Sequence, residues 1–349
     1  MVEKRKTIVI LTPGFAKNEQ DTTCIPILQQ YVSTLSAMRP DLKLHVVAFQ
    51  YPFTEGHYKW KGIDVYSAGG KGTLYSRLLT WRRVNKELKR IQGESEICII
   101  HSCWLTECTV IGQRFSQKNG IKHIAYAMGQ DVLKKNKYLK LLRFSQMQII
   151  AISESVADNF HKLTGSKVNA IIPAGIDNSN INIKSEPRTV DVIGVGALSS
   201  LKNYELFIEI ITLLKKDFPE IRSVIIGEGK EQQLLNRKIR DERLYDNVKL
   251  MGAVPHDEVF SYMNRSKILL HTSSYEGQST VIMEALATGL SVVCFDVGRM
   301  NSDKIKVCAT KVEMVNRLKA LLSNELDHSP QVLFSMNDTV NEFLKVYRL

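Results

Sequence analysis

The sequence predicts an α/β protein built from two doubly wound domains, each a mostly parallel sheet covered by helices on both faces. Three observations carry this. The chain has 349 residues, more than one ordinary core holds. Short apolar runs alternate with longer amphipathic stretches. And the alternation restarts after "PAGIDNSNINIKSEPRT" (173–189), a polar, turn-forming tract with no apolar period that reads as a linker. The expected division is 1–173, 174–335, and a last helix at 336–349.

In the first half, the runs at 7–12, 43–49, 62–68, 97–102, 123–128 and 149–153 read as strands. Those at 25–38 and 106–120 read as helices. The opening "MVEKRKTIVILTPGF" reads as a first buried strand, not a signal peptide, because its apolar run is too short. In the second half, strands are expected at 190–196, 222–229, 248–254, 267–273 and 291–296, with an amphipathic helix at 203–219. Ligands of such sheets bind outside the carboxyl ends of the strands. The turns "TPGF", "GVGALSS", "IIGEGK" and "SSYEGQS" each follow an expected strand and so belong to that rim.

Composition narrows the function classes. No run approaches a membrane span. The six cysteines are scattered without a CxxC pair, which fits small core residues in a reducing cytoplasm and argues against zinc. The formal net charge is +11. Part of it is local: from Lys71 to Arg90 there are seven basic residues and one acidic one. That stretch is either a solvated helix face or a face for an anionic bilayer or acceptor. It lacks a spaced series of stacking aromatics, so nucleic acid is not the expected partner.

The chemistry is expected in two motifs. "GVGALSSLKNYELF" has GxG between a strand and a helix, but Ser199 stands where a third glycine would complete a dinucleotide fingerprint. Lys202, in the turn before the helix, is placed to reach a phosphate; the plain alternative is an exposed turn lysine. "SYEGQSTVIMEALATG" is a polar turn followed by an apolar helix. Ser279 or Thr280 is expected to cap that helix, whose first amides suit a phosphate. Gly277 allows close approach to the backbone. Glu284 sits among apolar neighbours, where a carboxylate needs partners. Two ribose hydroxyls would satisfy it, and so would an internal salt bridge. Glu276 lies either beside whatever the phosphate carries or simply on a surface turn.

These residues resemble the retaining nucleotide-sugar glycosyltransferases of family 4 (glycosyl transferases group 1), which have the GT-B fold. The resemblance rests on Glu276 and Glu284 with seven residues between them. It extends to the ordered series "VGALSSLKNYELFIE", "VIIGEGKEQQLL" and "VKLMGAVPHDEVFSYMNRSKILLHTSSYEG", with "GQDV" and "IIPAGID" upstream. It implies two Rossmann-like domains facing a central cleft, acceptor side first and donor side second, with the last helix crossing back.

The resemblance also implies roles. Glu284 would bind the donor ribose and Glu276 the transferred sugar. Lys202 would hold the diphosphate, helped by Gly277, Gln278, Ser279, Thr280 and Gly196. Gly252, Ala253 and Val254, with Gly229 and Lys230, would border the nucleobase. On the first domain, Asp131 and the 12–22 loop are the expected sugar or acceptor contacts, with Gly14 of that loop on the donor. The chain departs from the family at Ala197, where arginine is frequent, at Met128, where histidine is frequent, at Ala174, and in the single glycine of its first loop.

No DxD sequence occurs, so transfer is expected to need no metal and no cofactor. The implied protein is cytoplasmic or peripheral at the inner membrane face. It moves a sugar from a nucleotide-diphosphate sugar to a glycan or lipid-linked acceptor, as in bacterial surface polysaccharide synthesis. A nucleotide-sugar-binding protein without turnover and a GT-B sugar-nucleotide epimerase are the alternatives.

Overall fold

A computed structural model of the chain describes residues 5–177 and 187–349. Most of the expected linker, 178–186, lies outside them. The chain divides into two compact units, residues 1–175 with 336–349, and residues 176–335.

The first unit contains β1 (Lys6–Gly14), α1 (Pro26–Met38), β2 (Lys43–Tyr51), β3 (Glu55–Trp60), β4 (Ile63–Ala68), α2 (Leu74–Glu94), β5 (Glu96–Cys103), α3 (Glu107–Asn119), β6 (Lys122–Ala127), β7 (Gln148–Ala151), α4 (Glu154–Thr164) and β8 (Ala170–Ile171). Its sheet runs β3-β4-β2-β1-β5-β6-β7-β8 and is parallel except for β3 against β4. Sequence patterning missed β3: "EGHYKW" has one fully buried residue, Trp60, and no apolar run. The central strands β1 and β5 are buried nearly throughout, which is why they read as unbroken apolar stretches.

The second unit contains β9 (Val190–Val195), α5 (Tyr204–Leu214), β10 (Ser223–Ile226), α6 (Gln232–Asp241), β11 (Val248–Gly252), α7 (His256–Asn264), β12 (Ser266–His271), α8 (Thr280–Ala287), β13 (Ser291–Phe295), β14 (Ile305–Cys308) and α9 (Lys311–Leu322). The sheet order is β11-β10-β9-β12-β13-β14, all parallel. The order reverses direction between β9 and β12, the position where doubly wound sheets open a crevice. The helix expected at 203–219 is shorter. It begins after Asn203, which is left-handed, and ends at Leu214, before the turn "KKDFPE".

The last helix, α10 (Met336–Tyr347), packs in the first unit. Its Phe343 and Tyr347 are buried against α1 and β5. There Tyr347 Oη lies 2.5 Å from Tyr31 Oη and 2.6 Å from His101 Nδ1. These three polar atoms satisfy one another's hydrogen bonding in the core.

Candidate active site

β9 and β12 are adjacent and parallel, so the turns that follow them leave the sheet side by side. The backbone ties them together. Ser274 N donates to Leu201 O at 2.9 Å, and Thr272 Oγ1 donates to Lys202 O at 2.8 Å. Lys202 and Glu276 thereby meet: Lys202 Nζ is 2.6 Å from Glu276 Oε1, and both side chains are largely buried. Gly196, at φ 145°, leaves room for this lysine. A Cβ there would lie 3.1 Å from Lys202 Cε.

The same Glu276 oxygen lies 3.4 Å from Nε2 of His271, the buried last residue of β12. A carboxylate only accepts, so Nε2 donates. Burial pushes the Glu276 carboxyl up, but the His271 hydrogen bond and the Lys202 charge outweigh it and hold it down to about 2. Burial holds His271 below its ordinary 6.5.

His271 also corrects the expected cap of α8. Ser279 occupies the N-cap position but makes no side-chain bond into the first turn. Its hydroxyl lies 3.1 Å from His271 Nε2 instead. The capping residue is thus diverted, and the first amides of α8 receive nothing from its side chain. Thr280 is the first residue of the helix and not its cap, and Gln278 Nε2 contacts Met283 Sδ at 3.4 Å.

Glu284, in the middle of α8, is 5% exposed. Its Oε1 accepts from His256 Nε2 at 2.8 Å. Burial lowers the His256 pKa, but the hydrogen bond and charge of Glu284 outweigh that and hold it above 6.5. The internal salt bridge weighed for Glu284 is therefore present at one carboxylate oxygen. His256 opens α7 directly after Pro255, so the Gly252–Ala253–Val254 turn runs straight into the Glu284 contact. Neither histidine was singled out in the sequence. The available signals were a histidine ending the apolar strand "KILLH" and one following a proline at a helix start.

Gly229 and Lys230 lie in the turn after β10. Lys230 is exposed. Gly229 is required by packing: a Cβ there would stand 2.2 Å from Leu198 O. Gly14 and Asp131 belong to the first unit. Gly14 ends β1 against Cys24 and Tyr51. Asp131 is 3% exposed, and its carboxylate accepts from the backbone N–H groups of Leu105 (2.7 Å), Met128 (3.1 Å) and Gly129 (2.7 Å). Burial raises its pKa against these bonds. A carboxylate so engaged anchors the loops after β5 and β6.

Residues 178–311 match the family described as Glycosyl transferases group 1. Over 168 residues the chain is 29% identical to the phosphatidylinositol N-acetylglucosaminyltransferase gpi3 subunit of Schizosaccharomyces pombe, covering 47% of this chain and 37% of that protein. The chain thus spans little more than a third of that curated relative. Two solved structures share the fold. Sucrose-phosphate synthase from Thermosynechococcus elongatus matches with TM-score 0.81 and 13% identity over 99% of this chain and 98% of that one. HepE from Anabaena, in complex with UDP, matches with TM-score 0.68 and 15% identity over 98% and 95%.

Proposed function

We propose that this chain, whose residues 178–311 are a glycosyl transferases group 1 domain on a GT-B fold, is a retaining glycosyltransferase. It moves a hexosyl or N-acetylhexosaminyl group from a nucleotide-diphosphate sugar to a glycan or lipid-linked acceptor of the kind used in bacterial surface polysaccharide. The observation that carries this reading is the meeting of Lys202, Glu276 and the uncapped start of α8 at the carboxyl ends of β9 and β12.

The reaction must stabilise a departing diphosphate while positive charge spreads over the sugar ring. Preorganised cations and amides aimed at the leaving group are the largest lever available. Lys202 supplies the cation and the first turn of α8 the amides. Glu276, ionised down to about pH 2, accepts hydrogen bonds from sugar hydroxyls. Glu284 offers its second oxygen to the ribose.

The acceptor hydroxyl attacks the anomeric carbon from the face the diphosphate leaves. The carbon–oxygen bond to the acceptor forms as the bond to the diphosphate breaks, and the acceptor proton passes to a diphosphate oxygen. Configuration is retained without the carboxylate nucleophile of a retaining hydrolase.

The test is a donor screen by calorimetry and product release. Nucleoside diphosphate should appear only when an acceptor is added, and its appearance should persist in EDTA. A second reading, donor binding without turnover, is favoured by the exposed Ala197 in the β9 turn, where the family often has arginine. Tight donor binding with no diphosphate release across an acceptor panel would select it.

A further inference from the structure

In the first unit, a groove of about 390 Å³ runs between α2 and residues 135–141. Its α2 wall is Arg77, Leu78 and Trp81; its other wall includes Lys135, Lys137, Tyr138 and Leu141. Both segments follow strands of the parallel sheet at their carboxyl ends, β4 and β6, so the groove lies on the ligand-binding rim.

The second wall is as basic as the first. "LKKNKYLKLLR" (133–143) has five basic residues and no acidic one. Between the walls the surface is apolar. Leu78 is 60% exposed and Leu141 51%, and neighbouring Leu79 is 43% exposed.

The groove is rigidly built. Asn136 Nδ2 donates to Leu105 O (2.9 Å) and Asp131 O (2.6 Å), while its Oδ1 accepts from Tyr138 N at 3.0 Å and caps the short 3-10 helix Lys137–Leu141. Trp81 Nε1 donates to the buried Glu107 at 2.8 Å, which Gln50 also binds. The Glu107 carboxylate behind the groove is therefore engaged. Guanidinium groups flank the rings: Arg77 lies 6.0 Å from the Tyr138 centroid and Arg114 5.9 Å from that of Trp81.

We propose that this groove docks the protein on an anionic phospholipid bilayer. A lipid headgroup phosphate enters between Arg77, Lys135 and Lys137, while Leu78 and Leu141 dip into the acyl boundary. The chemistry selects this occupant. A soluble polyanion would pair the cations but leave both leucines in water. An apolar peptide would cover the leucines but leave the cations without partners. Leucines ringed by Lys and Arg match a surface that is anionic above and apolar below. Docking here reaches past donor chemistry and is read without any donor.

The experiment is flotation of the full chain with phosphatidylcholine vesicles, with and without phosphatidylglycerol. Binding is expected only with the anionic lipid. Lys135→Glu with Lys137→Glu should weaken it roughly tenfold or more. Leu78→Ser with Leu141→Ser should weaken it comparably, while Lys249→Glu with Lys306→Glu, on the second unit, should leave it unchanged. Circular dichroism checks that each variant is folded. Equal binding to neutral vesicles, competition by soluble glycerol phosphate, indifference to the leucine pair, or an equal loss with the second-unit pair would each overturn the proposal.

Discussion

Lys202 and Glu276 form an ion pair, Nζ to Oε1 at 2.6 Å, between the turns that follow β9 and β12. Under the proposed function, a diphosphate arriving at Lys202 would compete with Glu276, and a sugar hydroxyl arriving at Glu276 would compete with Lys202, so the pair would couple the two halves of donor recognition.

The first prediction separates the partners. Lys202→Ala should weaken binding of a nucleoside diphosphate by roughly tenfold or more, as expected for losing a charge-assisted contact. Glu276→Ala frees the lysine, so the same affinity should hold or rise while turnover falls about a hundredfold or more. Calorimetry with UDP and with a UDP-sugar reads both. The reverse order would overturn both role assignments.

A second prediction concerns acid stability. The folded Glu276 carboxyl, at about 2, lies below its ordinary 4.5. The unfolded chain therefore binds more protons across that interval. Its stabilisation is complete above about pH 4.5 and is lost as pH falls toward about 2. His271→Leu removes a donor to Glu276, so the folded carboxyl rises toward 4.5 and the loss should be smaller and complete at higher pH. Glu276→Gln should abolish this part of the pH dependence. Urea midpoints between about pH 3 and 6 give the comparison.

The opposite sign holds for His256. Its folded pKa is raised above 6.5 by Glu284, so its stabilisation is present below 6.5 and is lost as pH rises through the folded value. His256→Gln should flatten thermal stability between about pH 6 and 8.5. A variant with the wild-type slope would show that another group titrates there.

Gly229→Ala tests a packing requirement. The added Cβ would stand 2.2 Å from Leu198 O, backbone that cannot give way cheaply. A destabilisation of about 2 kcal/mol or more is expected. Gly56→Ala has open space around its Cβ and should stay within roughly 1 kcal/mol. If Gly229→Ala were neutral in stability and weakened only nucleotide binding, the glycine would serve the ligand and not the packing.

Much of this was legible in one dimension. Buried parallel strands are continuous apolar runs, so β1, β5, β9, β12 and β13 stand out. The edge hairpin strand β3 does not, since it has no apolar run, and neither does β8, which is only two residues long. Ser279 was correctly located at a helix start, but its hydrogen bond was misassigned because the competing partner, His271, is supplied by a strand. Asp131 was singled out through the resemblance of "GQDV", which says nothing of the backbone N–H groups of two loops that its carboxylate binds.

The sequence by itself determined the layered class, the restart of the pattern, and the residue types gathered in the turns after β9 and β12, because these follow from local periodicity and turn chemistry. Only the tertiary structure decided the pairings. Lys202 meets Glu276 across 74 residues, His256 meets Glu284 across 28, and Asp131 meets the Leu105 amide across 26. Such contacts arise from strand order and register, which bring distant turns to one rim, and no local preference encodes which neighbour a buried charge will find.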